Sequence, residues 1–361
     1  MTTTMTTEPR RPRVPQPDLG DALRARTLPR AAVTALHLTA VALAVVGALG
    51  LVGGIRTVLL AVVVALVVPA WALAVEGRRR ATDRFVTVLV AGAFGLALVP
   101  LVSILWTVLA NGLSAVSTEF LTYSMRNVVG EGGGVYHAMI GTLLITLSAT
   151  LISVPIGLFT AIYLVEYGDD GKLATWVRFL VDVMTGIPSI VAGLFAYALF
   201  VMIFGPGVRM GVGGAVALAV LMIPIVVRSA EEMLKLVPNE LREASYALGV
   251  PKWRTVVKVV LPTALAGLVT GVTLAIARVI GETAPLLVIA GATDSVNFNL
   301  FEGRMATLPV FTYNSIMQPG VPPEPAIARA WGAALLLMVI VMVLNIVARL
   351  VSRHFSPKGE R

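Results

Sequence analysis

The sequence predicts an all-α polytopic membrane protein with about eight transmembrane helices. Of its 361 residues, 57% are hydrophobic and 13% are charged, whereas about 25% of residues are charged in a typical soluble domain. Long apolar runs recur along the chain, and each reaches the roughly 18–20 residues needed to cross a hydrocarbon core of about 30 Å. This apolar content is larger than the core of a soluble all-α protein can bury.

Eight apolar segments define the predicted spans. The first two, 31–54 and 57–75, form a hairpin within residues 31–80. The other six belong to a core domain over residues 86–350, and they lie at 86–110, 138–165, 178–204, 212–235, 264–291 and 328–350. Residues 1–30 are rich in Thr, Pro and Arg, which predicts a disordered tail, and residues 351–361 form a second tail. The apolar core of the first segment is too long for a signal peptide.

The positions of Lys and Arg orient these spans. With the N-terminus in the cytoplasm, 22 of the 28 basic residues fall in cytoplasmic segments, Arg278 lies at membrane depth, and the remaining five are external. The external ones are Arg56, Arg126, Arg209, Arg304 and Arg329. Because cytoplasmic loops carry the excess of Lys and Arg, both termini are predicted to be cytoplasmic. The net charge of +8 is then mainly an orientation signal and does not indicate a nucleic-acid-binding surface.

Several kinds of site are excluded by the residues themselves. The chain has no cysteine, so disulfides and thiol chemistry are ruled out. Its three histidines lack the spacing of metal ligands, so no metal site is expected. Asp182 and Ser189 have no histidine partner, which disfavours an intramembrane enzyme. A G-x-x-x-x-G-K-[ST] phosphate loop is missing, so any ATP chemistry must come from a separate subunit.

Two opposite charges, Arg278 and Glu282, stand in the apolar stretch ARVIGETAPLL. A charge at membrane depth costs roughly 2.5 to more than 10 kcal/mol. A spacing of four places both side chains on one helix face, so we expect them to pair and to face the bundle interior or an aqueous path. Two roles stay open. In the first, the pair only stabilises a contact between helices. In the second, the guanidinium binds a passing oxyanion, Glu282 lowers the affinity for that anion so that it can be released, and Thr283 contributes a hydroxyl to the binding site.

Four residues predict interruptions inside the spans, namely Pro155, Gly157, Gly186 and Pro188. Proline removes a backbone donor from a helix. In a membrane, the freed backbone groups must be satisfied by protein or by a water-filled path. These residues therefore indicate helix breaks or hinges beside a translocation path, or simple packing kinks.

Residues 238–262 predict two short helices across the cytoplasmic face. Pro238 suits the first turn of a helix, and Gly249 suits a helix end. Pro251 then opens a second helix that runs to Leu261 and meets Pro262. Such an element either docks into a groove on a soluble partner or anchors the loop at the membrane surface.

The same segment carries a specific resemblance. Its residues Glu243, Ala244, Ser245, Gly249, Val259, Leu261 and Pro262 have the spacing of the EAA loop of permease subunits of ATP-binding-cassette importers. Ser245 in the third EAA position and Val259 in place of Ile are departures from the pattern. In that family the loop is the element that inserts into the ATPase, and we call residues 238–262 the coupling loop.

Further stretches resemble one branch, the phosphate-specific PstA permease family, over about residues 130–350. These stretches are GTLLITLSATLISVPIGLFTAIYLVEYG, MTGIPSIVAGLF, LREASYALGVPKWRTVVKVVLP, ARVIGETAPLL and LPVFTYN. The resemblance implies a six-helix type I importer permease domain over residues 86–350, so the hairpin at 31–80 is extra. That hairpin is either a lipid-facing appendage or a docking site for another subunit.

The resemblance also implies a function and a set of partners. It implies a non-catalytic subunit of a phosphate importer in the bacterial cytoplasmic membrane that works by alternating access. A homologous permease, PstC, would complete the path, and an ATPase dimer, PstB, would dock on the coupling loop and bind ATP and Mg, so this chain binds no cofactor. The phosphate-binding protein PstS would meet residues 111–137 and 292–327. The family's path Arg and Glu fall on Arg278 and Glu282. A permease for sulfate or molybdate, or a non-transporting scaffold or sensor, remains the alternative.

Overall fold

A computed structural model describes residues 28–48, 55–168 and 171–355 of the chain. The described residues form helices joined by turns and loops, as expected for an all-α membrane protein. Nearly all of the predicted N-terminal tail lies outside them, and so do residues 356–361 of the predicted C-terminal tail.

The described residues up to Leu105 form one compact unit. Its helices are α1, Arg30–Ala48; α2, Ile55–Val75; and the first part of α3, Arg78–Gly112. α1 packs on α2, and a small core is buried between the elements of this unit: Leu28, Val33, Val68, Ala72 and Ala81. The predicted third span, 86–110, is thus the interior of a longer helix that begins directly after the turn that follows α2.

The described residues from Trp106 to Phe355 form a second compact unit. Its helices are α4, Thr118–Thr122; α5, Tyr136–Ile162; α6, Lys172–Thr185; α7, Ser189–Phe204; α8, Gly211–Lys235; α9, Asn239–Ala247; α10, Lys252–Thr255; α11, Leu261–Val279; α12, Ala284–Ile289; α13, Leu308–Met317; and α14, Glu324–Phe355. A π-helical segment, Tyr163–Tyr167, continues α5, and a second one, Val256–Val260, joins α10 to α11.

α8 is the central helix of the second unit. It packs on α5, α7 and α11. The main core is formed by buried side chains of α5, α8, α11 and α12: Ile145, Leu218, Met222, Ala275, Val279 and Leu286. Glycines let the helices approach closely. A Cβ atom on Gly157 would lie 2.7 Å from Val226 Cγ1 of α8, and one on Gly271 would collide with Ser229.

Among the described residues, six helices are long and apolar enough to cross a membrane. They are α2, α3, α5 with its π-helical segment, α8, α10 continued by α11, and α14. α6 and α7 form an apolar pair bent by 107°, the geometry of a broken span or of a re-entrant loop. The first predicted span contains α1, whose apolar stretch Ala31–Val45 is shorter than these helices, and its residues 49–54 lie outside the described part.

The structure differs from the predicted helix boundaries at three places. α5 continues through Pro155 and Gly157, which excludes a helix break there and leaves a hinge or a packing kink; Gly157 serves the close contact with α8. Pro262 does not end the second helix of the coupling loop, because the chain passes through the π-helical segment directly into α11. The predicted span 264–291 is not one helix either, since α11 ends at Val279 and α12 begins at Ala284.

The predicted external segment 292–327 contains a packed helix. The first turn of α13 is buried, and α13 packs against α14. The backbone N–H of Leu308, in that turn, donates to the Thr142 hydroxyl of α5 at 2.8 Å. This segment is therefore a fixed part of the second unit.

Candidate functional site

Two helix interruptions define the site. α6 ends at Thr185 and α7 begins at Ser189, so Gly186 and Pro188 lie in the 107° bend between them. Pro188 precedes the first residue of α7 with φ −60° and ψ 139°, an extended conformation that directs the chain out of the preceding helix. The second interruption lies between Val279 and Ala284, and Pro285 in the first turn of α12 has no N–H to continue the helix.

The two interruptions meet at a cavity of about 280 Å³. The first contributes Ile187, Pro188 and Ser189, α8 contributes Pro224, and the second contributes Arg278 and Glu282. Three residues that the sequence predicts for the path or its hinges, Pro188, Arg278 and Glu282, therefore lie at one place although they come from different spans. Pro155, Gly157 and Thr283 do not line this cavity.

The predicted pairing of Arg278 with Glu282 is wrong. α11 ends between them, and the backbone N–H of Glu282 donates to the Val279 carbonyl in a turn at 3.1 Å. In the part of the chain that the structure describes, no ion pair or hydrogen bond joins the two side chains. Arg278 is exposed and Glu282 is partly buried. The i, i+4 rule assumes a continuous helix, and here the helix stops. Both charges instead face the same cavity without neutralising each other directly.

A network of charged side chains lies one helical turn beyond the part of α8 that lines the cavity. Arg228 forms ion pairs with Asp182 of α6 and with Glu231. The Glu231 side chain is 3% exposed; it accepts from Lys235 Nζ at 2.7 Å and lies 3.6 Å from Arg178 Nε of α6. This network ties α6 to α8 next to the bend. Sequence reasoning missed it, although the i, i+3 and i, i+4 spacing around Glu231 was an available signal.

The coupling loop forms a helix, a glycine turn and a second helix. α9 carries Glu243 and Ala244, which are exposed, and Ser245, which is buried. The Ser245 hydroxyl lies 2.8 Å from the hydroxyl of Thr255 at the end of α10, so a buried hydrogen bond joins the two short helices. Leu261 and Pro262 open α11, and the helix from Lys252 to Val279 is one span of 28 residues.

Gly249 makes the turn between these helices. It has φ +74°, a left-handed conformation that glycine adopts without steric cost. Its N–H donates to the Tyr246 carbonyl at 2.9 Å, and the N–H of Val250 donates to the Ser245 carbonyl at 3.2 Å. This arrangement ends α9 by the common glycine cap.

Arg242 fixes the coupling loop to two neighbouring elements. Its guanidinium donates to the carboxylate of Glu166, in the π-helical extension of α5, at 2.8 and 3.1 Å. It also donates to the backbone carbonyls of Leu234 at 2.9 Å and Val237 at 2.6 Å, at the end of α8. Sequence reasoning did not identify Arg242 or Glu166, since nothing in the local pattern connects them.

The outer face of the coupling loop exposes large apolar side chains. Leu241 is 41% exposed, Leu248 is 83% exposed and Trp253 is 58% exposed. The exposed Glu243 lies on the same short helix as Leu241.

The chain matches known proteins over most of its length. Residues 153–359 match the family model described as binding-protein-dependent transport system inner membrane component. The phosphate transport system permease protein PstA 1 of Mycobacterium tuberculosis (strain ATCC 25618 / H37Rv) is 47% identical over 277 residues, which cover 76% of this chain and 88% of the relative. The permease protein PstA of Yersinia pestis is 39% identical over 277 residues, which cover 76% of this chain and 90% of the relative.

The fold has a counterpart among solved structures. A chain of the MetNI methionine ABC transporter, in an inward-facing crystal structure, matches with a TM-score of 0.50 and 22% identity, covering 67% of this chain and 100% of that chain. This likeness concerns the fold alone. The family model and the relatives' identity over most of both chains agree with it. The chain belongs to the PstA family of binding-protein-dependent transport permeases.

Proposed function

We propose that this chain is a transmembrane subunit of an ATP-driven importer of inorganic phosphate. The observation that carries the proposal is the helix from Lys252 to Val279, which runs from the coupling loop to the cavity that Arg278 lines. A movement imposed on the coupling loop would reach the cavity through this one helix. The names of the relatives, which are phosphate transport permeases, support phosphate as the substrate.

The coupling loop docks on a separate ATPase subunit, PstB. Its exposed Leu241, Leu248 and Trp253 offer the apolar anchors that fill a groove on a partner. ATP and Mg bind to that partner, and this chain contributes neither a phosphate loop nor a bound cofactor. The chain is therefore the transporting component, and the ATPase supplies the energy.

The cavity is the place on the translocation path where the transported oxyanion is bound and released. Its volume of about 280 Å³ lies just below the roughly 300–1,000 Å³ of typical ligand pockets, which suits a small ion. The Arg278 guanidinium offers N–H donors that match oxyanion geometry. Glu282 faces the same cavity, and its carboxylate repels an anion, so it lowers the affinity and helps release.

Transport then follows an alternating-access cycle. ATP binding closes the ATPase dimer and moves the coupling loops, and hydrolysis returns them to their starting positions. ATP shifts the equilibrium between the two conformations because it binds the closed dimer more tightly than the open one. The homologous permease PstC forms the other wall of the path. The phosphate-binding protein PstS delivers substrate to residues 111–137 and 292–327 on the outer face. Both termini lie in the cytoplasm, and the complex resides in the bacterial cytoplasmic membrane.

Uptake by reconstituted vesicles tests the proposal. The assembled complex should import labelled phosphate when ATP is present, and Arg278→Gln should abolish uptake while the subunits still co-purify. Arg349→Gln removes an exposed arginine at the end of α14 and serves as the matched control, with uptake unchanged. Normal uptake by a fully assembled Arg278→Gln complex would overturn the role of the cavity.

Competition in the same vesicles identifies the substrate. Excess unlabelled phosphate should suppress uptake, whereas sulfate and molybdate should leave it unchanged. Equal suppression by sulfate or molybdate would assign the transporter to another oxyanion. If the complex binds one of these three anions without ATP but transports none of them, the chain would instead be part of a scaffold or sensor.

A further inference from the structure

A shallow groove of about 410 Å³ lies within the N-terminal unit, outside the site described above. One of its walls is a single face of α2, built from Leu66, Pro69, Ala70 and Leu73. These residues follow the i, i+3, i+4, i+7 spacing of one helix face. At a rise of 1.5 Å per residue, this wall extends along the helix for roughly 10 Å. The wall is apolar throughout.

The second wall is the first two turns of α3. Arg78, Thr82 and Phe85 line the groove from this side, again at helical spacing. α2 is an apolar span, and Arg78 begins the next helix after the turn at Glu76 and Gly77. The groove therefore has its charged end at the membrane boundary and its apolar length along the hydrocarbon. The distribution of Lys and Arg assigns this boundary to the cytoplasmic leaflet.

Arg78 is free to bind an anion. In the part of the chain that the structure describes, no acidic side chain pairs with it. The nearest acid in the sequence, Glu76, is already engaged by Arg84 at 2.9 and 3.0 Å and by the Leu28 N–H at 2.6 Å. Arg79 and Arg80, next to Arg78, are also exposed. Uncompensated positive charge thus adjoins an apolar groove.

We propose that this groove holds an anionic phospholipid of the cytoplasmic leaflet, with the phosphate of its headgroup on Arg78 and an acyl chain along α2. Charge complementarity selects an acidic headgroup over a zwitterionic one. The apolar wall selects a lipid over free inorganic phosphate, since the free ion gains nothing from Leu66 or Leu73. Acidic lipid is recruited by the extra hairpin, and this site is independent of the phosphate path.

Lipid binding to the purified full chain, prepared with its co-purifying subunits in detergent, tests the proposal. Native mass spectrometry should show that phosphatidylglycerol is retained over phosphatidylcholine of the same chain length. Arg78→Gln should weaken phosphatidylglycerol binding about fivefold, the factor expected for one arginine at an anionic headgroup. Arg78→Lys, which keeps the charge, should retain most of the binding. Arg79→Gln removes a neighbouring arginine that does not line the groove, and it should leave binding unchanged.

A second variant tests the acyl-chain part of the site. Ala70→Leu fills the exposed groove without touching the charge, and it should also weaken phosphatidylglycerol binding. If Arg78→Gln does not fold, Arg78→Lys and Ala70→Leu still test whether phosphatidylglycerol binds in this groove. Three results would overturn the proposal: equal retention of the two lipids, equal loss in Arg78→Gln and Arg79→Gln, or displacement of the lipid by excess inorganic phosphate. None of these readouts depends on transport, so the proposed function and the lipid site stand or fall separately.

Discussion

The guanidinium of Arg242 converges on a single oxygen of Glu166, with Nη2 and Nε at 2.8 and 3.1 Å from Oε1. The two side chains are 13% and 3% exposed, and they join the coupling loop to the π-helical end of α5. The coupling loop is therefore attached to three spans: to α8 and α11 by continuity of the chain, and to α5 by this ion pair.

Breaking that ion pair should destabilise the protein. Arg242→Gln or Glu166→Gln alone leaves one buried charge unpaired, which costs about 3–5 kcal/mol. The double variant should be less destabilised than the two single losses together, by about 0.5–3 kcal/mol, because the penalty of the unpaired charge is no longer present. Denaturation of the purified proteins in detergent measures the free energy of unfolding of the wild type, the two single variants and the double variant. Strictly additive losses would show that the two residues do not interact.

Glu282→Gln should change the kinetics of uptake in the opposite sense to Arg278→Gln. Removing the carboxylate from the cavity removes repulsion of the anion, so the KM for phosphate should fall by about two- to fivefold, the scale of one solvent-accessible charge interaction. Maximal uptake should fall as well, because release becomes slower. Glu282→Asp keeps the charge and is the control, with smaller changes in both constants. A raised KM in Glu282→Gln would mean that this carboxylate assists binding.

Gly249→Ala should destabilise the coupling loop by about 1–2 kcal/mol, because an L-residue pays this cost in the left-handed conformation. A Cβ atom there would meet nothing within 4 Å, so the penalty is conformational and not steric. Gly249→Asn should be milder. Gly92→Ala on α3, where the surroundings are equally open and φ is not positive, should be neutral or stabilising. Unfolding temperature and co-purification of the ATPase report the effect, and identical behaviour of the Gly249 and Gly92 variants would contradict it.

The N-terminal unit should lose stability in acid through Glu76. The hydrogen bond from Arg84, with that from the Leu28 N–H, lowers the pKa of this carboxyl below 4.5. A group whose pKa is lowered by folding stabilises the folded state above its unfolded pKa, and this contribution is lost as the pH falls through the folded pKa. Wild type should therefore be more stable than Glu76→Gln at neutral pH, and the two should converge below pH 4.5. A constant difference across this range would exclude the ionised carboxylate as the cause.

Hydropathy predicted most of the spans because a membrane imposes a length on each apolar helix. The same signal could not locate the interruption after Val279, since Gly281 and Pro285 lie within an apolar run that reads as continuous. The expected pairing of Arg278 with Glu282 failed for that reason. At Pro155 the sequence predicted an interruption where the helix is continuous, because α5 continues past a proline when neighbouring helices pack closely around it.

The candidate site was predictable where a residue was rare for its surroundings. Arg278 and Glu282 stand out as charges in an apolar stretch, and Pro188 stands out as a proline inside a span. The ion pair of Arg242 with Glu166 was not predictable, because it joins residues 76 positions apart and exists through tertiary packing alone. Whether Arg278, Glu282 and Thr283 handle substrate, and whether Gly186 and Pro188 act as hinges, stays a prediction that transport assays decide.

The π-helical segment Val256–Val260 sets a rotational phase between the two ends of the helix that contains it. One residue of an α-helix turns the chain by about 100°, and a π-helical turn accommodates one additional residue. The side chains of α10 and the face of α11 that carries Arg278 are thus rotated relative to each other by this extra residue. A one-residue deletion within Val256–Val260 would leave Glu243, Ala244, Ser245 and Gly249 unchanged but shorten their spacing to Leu261 and Pro262 by one residue. It would also turn Arg278 out of the cavity by about a quarter of a turn.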